Sequence, residues 1–444
     1  MSRADWPGCI QKSYRRRWRI WIVGVLSHTI GMFHRAAMAP IADRVMADLN
    51  ISAVAFGSLG AVYFYIYAAM QIPSGTLADT VGPRKTITSG LLLSTLGALT
   101  MSAAHSFTVM YLGRLMVSFG ASVAALSIMK LLMGWFRARE LATMTGLTVS
   151  IASLGQIAAA TPLALLVIWV GWRMSFTTVA GISFALALAT WLVVRDSPAK
   201  VGLPSVHELE GRPNSRVAPF RSPPDLSLAR RFKLVFGNRH LWPLFLVGFG
   251  TYGAFATLVH HWMVVYLMQT YGVARDFAAN FVLVGAVGMI VAAPVAGFLS
   301  DRVLQQRRLP IILSTGLSLA SFLLLVLWNG GRPPLVALYP LCFIMGLGCG
   351  GIPITIACVR DMVQPSIQGV ASGLVNSGGF VAAAMAQPLF GYILDLGWTG
   401  EMAEGARVYP LEAFQQCLSL CCLLAALGFL GALLIRETLH RDSH

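Results

Sequence analysis

Acidic side chains are scarce in this chain: 18 Asp and Glu stand against 33 Lys and Arg, and charged residues of both signs fill only 11% of 444 positions. Soluble domains carry roughly 25%, so a water-exposed globule of this length is excluded. Redox and metal spacings are missing too. The seven cysteines, Cys9, Cys342, Cys349, Cys358, Cys417, Cys421 and Cys422, show no CxxC pattern and no His at ligand spacing, and read as small apolar packing residues. No phosphate-cradling Gly-rich loop, metal-ligand cluster or nucleophile elbow occurs. An ATP-driven pump or an intramembrane enzyme therefore has no residues to run on, and neither cofactor nor metal is expected.

What fills the chain instead is apolar sequence, 56% of it. Twelve runs, each long enough to cross a hydrocarbon core of about 30 Å, cover 18–42, 52–78, 86–104, 108–135, 141–170, 173–194, 241–268, 277–299, 309–328, 334–357, 367–394 and 412–435. We number them spans 1 to 12. Lipid tolerates only helices or closed barrels, and unbroken runs lack the alternation of a barrel strand. The expected class is an all-α membrane protein with twelve transmembrane helices.

The opening MSRADWPGCIQKSYRRRWR sets a basic cluster directly against span 1, with no short cleavable apolar stretch after it. Span 1 is expected to stay, its N-terminus cytoplasmic. Under that orientation 25 of the 33 Lys and Arg fall in inner segments, and five (Arg44, Arg173, Arg275, Arg332 and Arg407) fall in outer loops, as positive-inside topology demands. The net charge of +15 then reports orientation and contact with anionic lipid, and nucleic acid is not an expected partner. The chain is read as a monomeric multi-pass protein of the plasma (inner) membrane with both termini cytoplasmic.

GTLADTVGPRK at 75–85 returns in altered form as GFLSDRVLQQRR at 297–308, so that Asp79 and Asp301 stand 222 positions apart. The same offset pairs LNIS at 49–52 with YGVA at 271–274. Between spans 6 and 7 lies a Pro-, Ser- and charge-rich linker. The chain thus divides into a basic segment 1–17, a six-span half 18–194, the linker 195–240, a second six-span half 241–435 and a tail 436–444. Both copies of the repeated unit fall at the inner ends of spans 2 and 8. A carboxylate there accepts hydrogen bonds from a neighbouring helix N-terminus or an Arg and locks that side in one state. Asp79, Arg84, Asp301 and Arg302 are the expected gate residues, with Gly75 and Gly82 permitting close approach and a sharp turn.

These two stretches resemble the loop signature of the major facilitator superfamily, GxLADRxGRR, carried between its helices 2 and 3 and in weaker form between 8 and 9. Thr80 stands where an Arg is common, and Arg302 restores it in the second copy. GRLMVSFGAS (113–122) is similar to the family's helix-4 arginine motif and GWRMSF (171–176) to the start of its helix 6. The resemblance covers almost the whole chain and implies two pseudo-symmetric six-helix bundles.

Three cations remain inside spans: Arg35, Arg114 and Lys130. Each costs at least about 2.5 to 3.5 kcal/mol to insert unless it faces water or a partner. No Asp or Glu lies deep in any span; Asp43, Asp48, Asp276 and Asp395 fall near outer ends and Asp361 near an inner one. A positive cavity without a resident carboxylate points to an anionic ligand. Arg35 is the leading candidate for its clamp. Arg114 is as well suited to backbone carbonyls, and Lys130 to snorkelling towards the cytoplasm.

MFHRAAMAPIADRVMADLNIS (32–52) resembles helix 1 of the organic-anion branches of that family, the anion:cation symporters and organophosphate antiporters, where an Arg at this place lines the anion site. An Asp commonly precedes that Arg and serves proton coupling; here the position is His34, and 118–122, read as SFGAS, lacks the branch's frequent helix-4 glutamate. Imidazoles are the substitute at hand. His28, His34, His260 and His261 lie in spans 1 and 7 and change charge in the physiological range, so that a proton taken up with the substrate adds anion affinity. Tyr67 matches a branch tyrosine lining the substrate site. Asn376 and Gln156 are polar groups that orient a ligand or join helices. The expected function is alternating-access symport of a small organic anion with protons. A proton-antiport drug or metabolite exporter and a membrane ligand sensor that does not transport are the competing readings.

Overall fold

A computed structural model describes residues 6–201, 228–364, 367–403 and 406–438. All twelve apolar runs are helical in it. Eight helical stretches are long and apolar enough to cross a membrane on length and hydropathy. One of them, Met144–Val193, is 50 residues long, about 75 Å at the rise of an α-helix and more than one crossing requires. It breaks at Gly171, whose φ of 77° and ψ of 164° suit only glycine. Span 6 begins there, where GWRMSF had placed it.

Polar side chains within the spans mostly answer to their own helix. Ser27, Thr29, Thr95, Thr148 and Thr257 each donate to the carbonyl four residues back, at 2.7–2.9 Å, so a hydroxyl enters lipid without an orphaned donor. Cys342, Cys349, Cys358, Cys417 and Cys421 are buried free thiols, as packing residues should be.

The chain forms two compact units. The first comprises 1–35, 69–158 and 173–221. Its helices Pro83–Ser102 and Phe107–Ser122 touch through glycine: a Cβ on Gly120 would lie 2.2 Å from Gly90 O, and one on Gly97 would lie 2.6 Å from Gly113 O. Span 1 closes on span 5 in the same way, at Gly155 against Thr29 O. At the Arg-rich end, Glu140 sits in the first turn of the helix Ala138–Ala158. Its Oε2 accepts from the Arg137 backbone N–H at 3.0 Å and from Arg17 Nη1 at 2.9 Å. The first contact is the back-reaching half of a capping box, and the second ties span 1 to the start of span 5.

The second unit comprises 36–68, 159–172 and 222–444, so the far ends of spans 1, 2 and 5 fold with the second half of the chain. Gly57 faces span 11 so closely that a Cβ would lie 2.4 Å from Gln387 O, and Gly391 returns the contact at 2.3 Å from Ala53 O. Asp395, near the end of the helix Gln368–Leu396, caps the helix Ala53–Ala69 by accepting from Ala53 N at 3.1 Å and Val54 N at 2.8 Å. Arg407 Nη1 and Tyr409 Oη donate to the same carboxylate from the far side. Arg275 forms a bidentate pair with Asp43 and also donates to Pro40 O. Trp172 Nε1 donates to Asp48, and Thr161 bonds to Asn280.

Burial alone would raise the Glu140 carboxyl, but the Arg137 N–H and the Arg17 guanidinium outweigh it and hold it below the ordinary 4.5. A lowered folded value means stability that is present above pH about 4.5 and lost as pH falls through the folded value. Acid melting curves of Glu140→Gln should therefore meet those of the native chain below that range and fall under them above it, by less than about 1 kcal/mol. At the opposite end, Gly57→Val must push the facing backbones apart, a strain of about 1 to 3 kcal/mol. Its Tm in detergent should drop, whereas Ser58→Ala, which removes only a hydroxyl bonded to its own helix at Ala55 O, should leave Tm unchanged.

Candidate functional site

Span 1 carries the densest set of predicted site residues. His28, His34 and Arg35 lie on the helix Trp6–Ala36 with exposures of 6%, 0% and 7%. The seven-residue step from His28 to Arg35 places both on one helix face. Arg114, 1% exposed on the helix Phe107–Ser122, donates from Nη1 to His34 O at 2.7 Å. That carbonyl lies in the last turn of its helix, where the backbone has no partner of its own. The carbonyl contact that sequence set beside ligand binding for Arg114 is thus present.

Both ring nitrogens of His34, Nδ1 of His28 and Oε1 of the buried Gln156 have no hydrogen-bond partner among the described residues. Gln156 follows Gly155, the point where span 5 presses on Thr29. Among the described residues of this unit the acids are Asp79, in the helix Gln71–Thr80, Glu140, in the first turn of the helix Ala138–Ala158, and Asp196. The guanidinium-bearing residues Arg35 and Arg114 are both buried in the same unit.

Lys130 Nζ donates to Ala78 O at 2.8 Å, in the last turn of the helix Gln71–Thr80 that carries the first gate signature.

In the second unit, Tyr67 and His260 join one aromatic box. Tyr67 packs edge-on against Phe380 at 5.0 Å, Phe380 against Tyr252 at 5.8 Å, and Tyr252 against His260 at 6.3 Å. His261 turns the other way, stacking on Phe56 at 4.5 Å beside Gly60 and Gln387. Both histidines sit in a π-helical turn, Leu258–Trp262, a local widening that is frequent at functional sites. Asn376 is exposed. Phe380, Tyr252 and Gln387 were missed in the sequence because aromatic and amide groups within an apolar span carry no pattern of their own.

At the gates, Gly82 adopts φ 93° ahead of the helix Pro83–Ser102, a positive-φ conformation compatible with the sharp turn expected there. Arg84 donates from Nε and Nη2 to Trp191 O and lies 4.2 Å from the centre of the Trp191 ring. Its backbone N–H donates to Asp196 at 2.8 Å. The second copy repeats this with other residues: Glu437 accepts from Arg307 N and Arg308 N, and Arg308 Nη2 donates to Leu433 O. Asp196 and Glu437 were not singled out in the sequence, although each is the first acid after the last span of its half. Arg302 is exposed; Gly75, Asp79 and Asp301 have helical backbone, and the side chains of the two acids lie outside the described residues.

Comparison with known proteins fits this geometry. The family model described as Major Facilitator Superfamily matches residues 24–387 and 262–442. A probable L-galactonate transporter of Escherichia coli K12 is 25% identical over 99% of this chain and 95% of its own length. The probable galactarate/D-glucarate transporter GarP of the same organism is 25% identical over 86% of this chain and 89% of its own. Among solved structures, a D-xylose-proton symporter superposes with a TM-score of 0.71 at 14% identity, covering 95% of this chain and 99% of that one. With a family model that spans nearly every helix, the chain belongs to the Major Facilitator Superfamily and is a transporter.

Proposed function

We propose that this chain moves a small organic anion of the carboxylate type across the membrane, by alternating access and in symport with protons. The observation that carries the reading is the burial of two arginines, Arg35 and Arg114, within apolar spans of one unit, around a His34 whose ring nitrogens have no partner among the described residues. Arg35 offers a carboxylate substrate a planar fork. The relatives support the cargo class, since two of them are named for sugar acids. Gln156, Tyr67 and Asn376 are assigned to orienting the substrate, with Arg114, Lys130, His260 and His261 as further contacts.

His34 is the proposed proton carrier. It is fully buried, its two ring nitrogens have no partner among the described residues, and its own carbonyl is held by Arg114. A neutral imidazole so placed gains a hydrogen-bond acceptor when an anion arrives, and charging it then adds to the anion's affinity. His28, His260 and His261 are the remaining candidates for the relay. The gate residues Gly75, Asp79, Gly82, Arg84, Asp301 and Arg302 are assigned to the cytoplasmic side of an inner-membrane monomer built from halves 18–194 and 241–435.

Proteoliposomes should accumulate labelled galactonate or galactarate under a pH gradient and lose it when a protonophore is added. Binding without flux would identify a sensor instead, and extrusion of cations an exporter. Arg35→Gln should abolish uptake with Tm unchanged, and Arg35→Lys should retain some of it; full uptake by the glutamine variant refutes the clamp. His34→Gln should flatten the pH profile more than it weakens binding at acid pH, and an unaltered profile removes His34 as the coupling group.

A further inference from the structure

Spans 2, 7 and 11 meet at one side chain, Gln387. It is 1% exposed on the helix Gln368–Leu396, and the backbone of span 2 presses on it. A Cβ added to Gly57 would collide with its carbonyl O, and one added to Gly60 would collide with its Oε1. Both glycines belong to the helix Ala53–Ala69. From span 7, Trp262 Nε1 donates to Gln387 O at 3.2 Å, and its ring stacks 5.2 Å from that of Phe390, further along span 11. Gln387 Nε2 donates in turn to Ala256 O at 3.3 Å, just ahead of the π turn Leu258–Trp262.

These bonds join spans 7 and 11 and fix which way the amide points, because the reverse orientation would set Oε1 against Ala256 O, acceptor against acceptor. Oε1 therefore faces Gly60, and it has no hydrogen-bond partner among the described residues. The His261 ring shares that space: the same Gly60 Cβ position lies 2.5 Å from its Cε1 and 2.6 Å from its Nδ1. No gap is left there for a bridging water. A buried acceptor without a partner weakens the state that strands it, whereas an apolar group of the same shape would not. Here the weakness falls on one contact, span 2 against span 11. Moving the helix Ala53–Ala69 away breaks none of the bonds that hold Gln387 to span 7, and it admits water to Oε1.

We propose that Gln387 is a positioning residue that acts as a spring at the joint of spans 2 and 11: its stranded acceptor disfavours the closed contact and sets how readily the two helices part. The inference rests on the alternating-access reading but not on which solute is carried. Gln387→Met has the same length without a polar atom at its tip, so it should keep the joint shut. The reporter is Ala53→Cys, at a position 0% exposed where span 2 meets Gly391. In purified full-length protein, maleimide labelling at position 53, followed by peptide mass, should slow at least about tenfold when Gln387→Met is added, with Tm equal or higher. Trp262→Phe removes a bond between spans 7 and 11 and leaves Oε1 stranded, so it should label at the rate of the reporter chain. No substrate enters this assay, so a failure of galactonate uptake and a failure here are separate results. Labelling that is not slowed by Gln387→Met, a lowered Tm, or equal slowing by Trp262→Phe would each overturn the assignment.

Discussion

Every helix that ends inside or beside a bilayer leaves backbone N–H and C=O groups that nothing within the helix satisfies, and this chain spends its few charges on them. Carboxylates meet N-termini: Asp196 at Arg84, Glu437 at Arg307 and Arg308, Asp395 at Ala53 and Val54, and Glu140 at Arg137. Cations meet C-terminal carbonyls: Arg114 at His34, Lys130 at Ala78, Arg84 at Trp191, and Arg308 at Leu433. Each sign faces the end of the helix dipole that favours it. In a low-dielectric bundle such contacts are stronger than their surface equivalents, and losing one partner strands the other. The scarcity of acids thus follows from the fold, which needs one at a few helix starts and hardly anywhere else.

That economy has a consequence for movement. Contacts that cap a helix through a neighbouring helix are two-state: the cap is either seated or lost. In the second unit, Asp395 seats span 2 on span 11, and Arg275 seats the break in span 1, at Pro40 and Asp43, on the start of span 8. The glycines beneath them, Gly57 and Gly391, bring backbones within contact and add dispersion rather than directional bonds. A separation at this end trades four or more charge-assisted bonds for water, which a hydrated vestibule provides and lipid does not.

Much of this was legible in the sequence. Run length and hydropathy located the long apolar helices, though not the short ones Ala42–Leu49 and Leu228–Phe236, and the offset of 222 linked the two gate signatures. Gly82, expected at a sharp turn, has a positive φ. The partners were not legible. Asp43 and Arg275 both read as outer loop charges, and nothing local says that residues 232 apart share a bidentate pair. The carbonyl at the tip of Lys130 was not legible either, because it belongs to a neighbouring helix. The π turn was invisible as well, because a one-residue widening leaves the apolar pattern intact.

The duplication also points to where the helices are meant to yield. Span 7 widens at Leu258–Trp262, and subtracting the offset of 222 gives residues 36–40 of span 1, where the helix Trp6–Ala36 stops and a 3-10 turn, Ala39–Ile41, begins. The two halves share no residue at these positions that would force the irregularity, since His260 and His261 map onto Met38 and Ala39. Irregular backbone within a membrane is tolerated only where protein or a water-lined cavity satisfies it. His34 and Arg35 precede one break and His260 and His261 lie within the other, so titratable groups gather where the backbone departs from regular helix. Two of the four lie beside each of the equivalent breaks, one break on span 1 and the other on span 7.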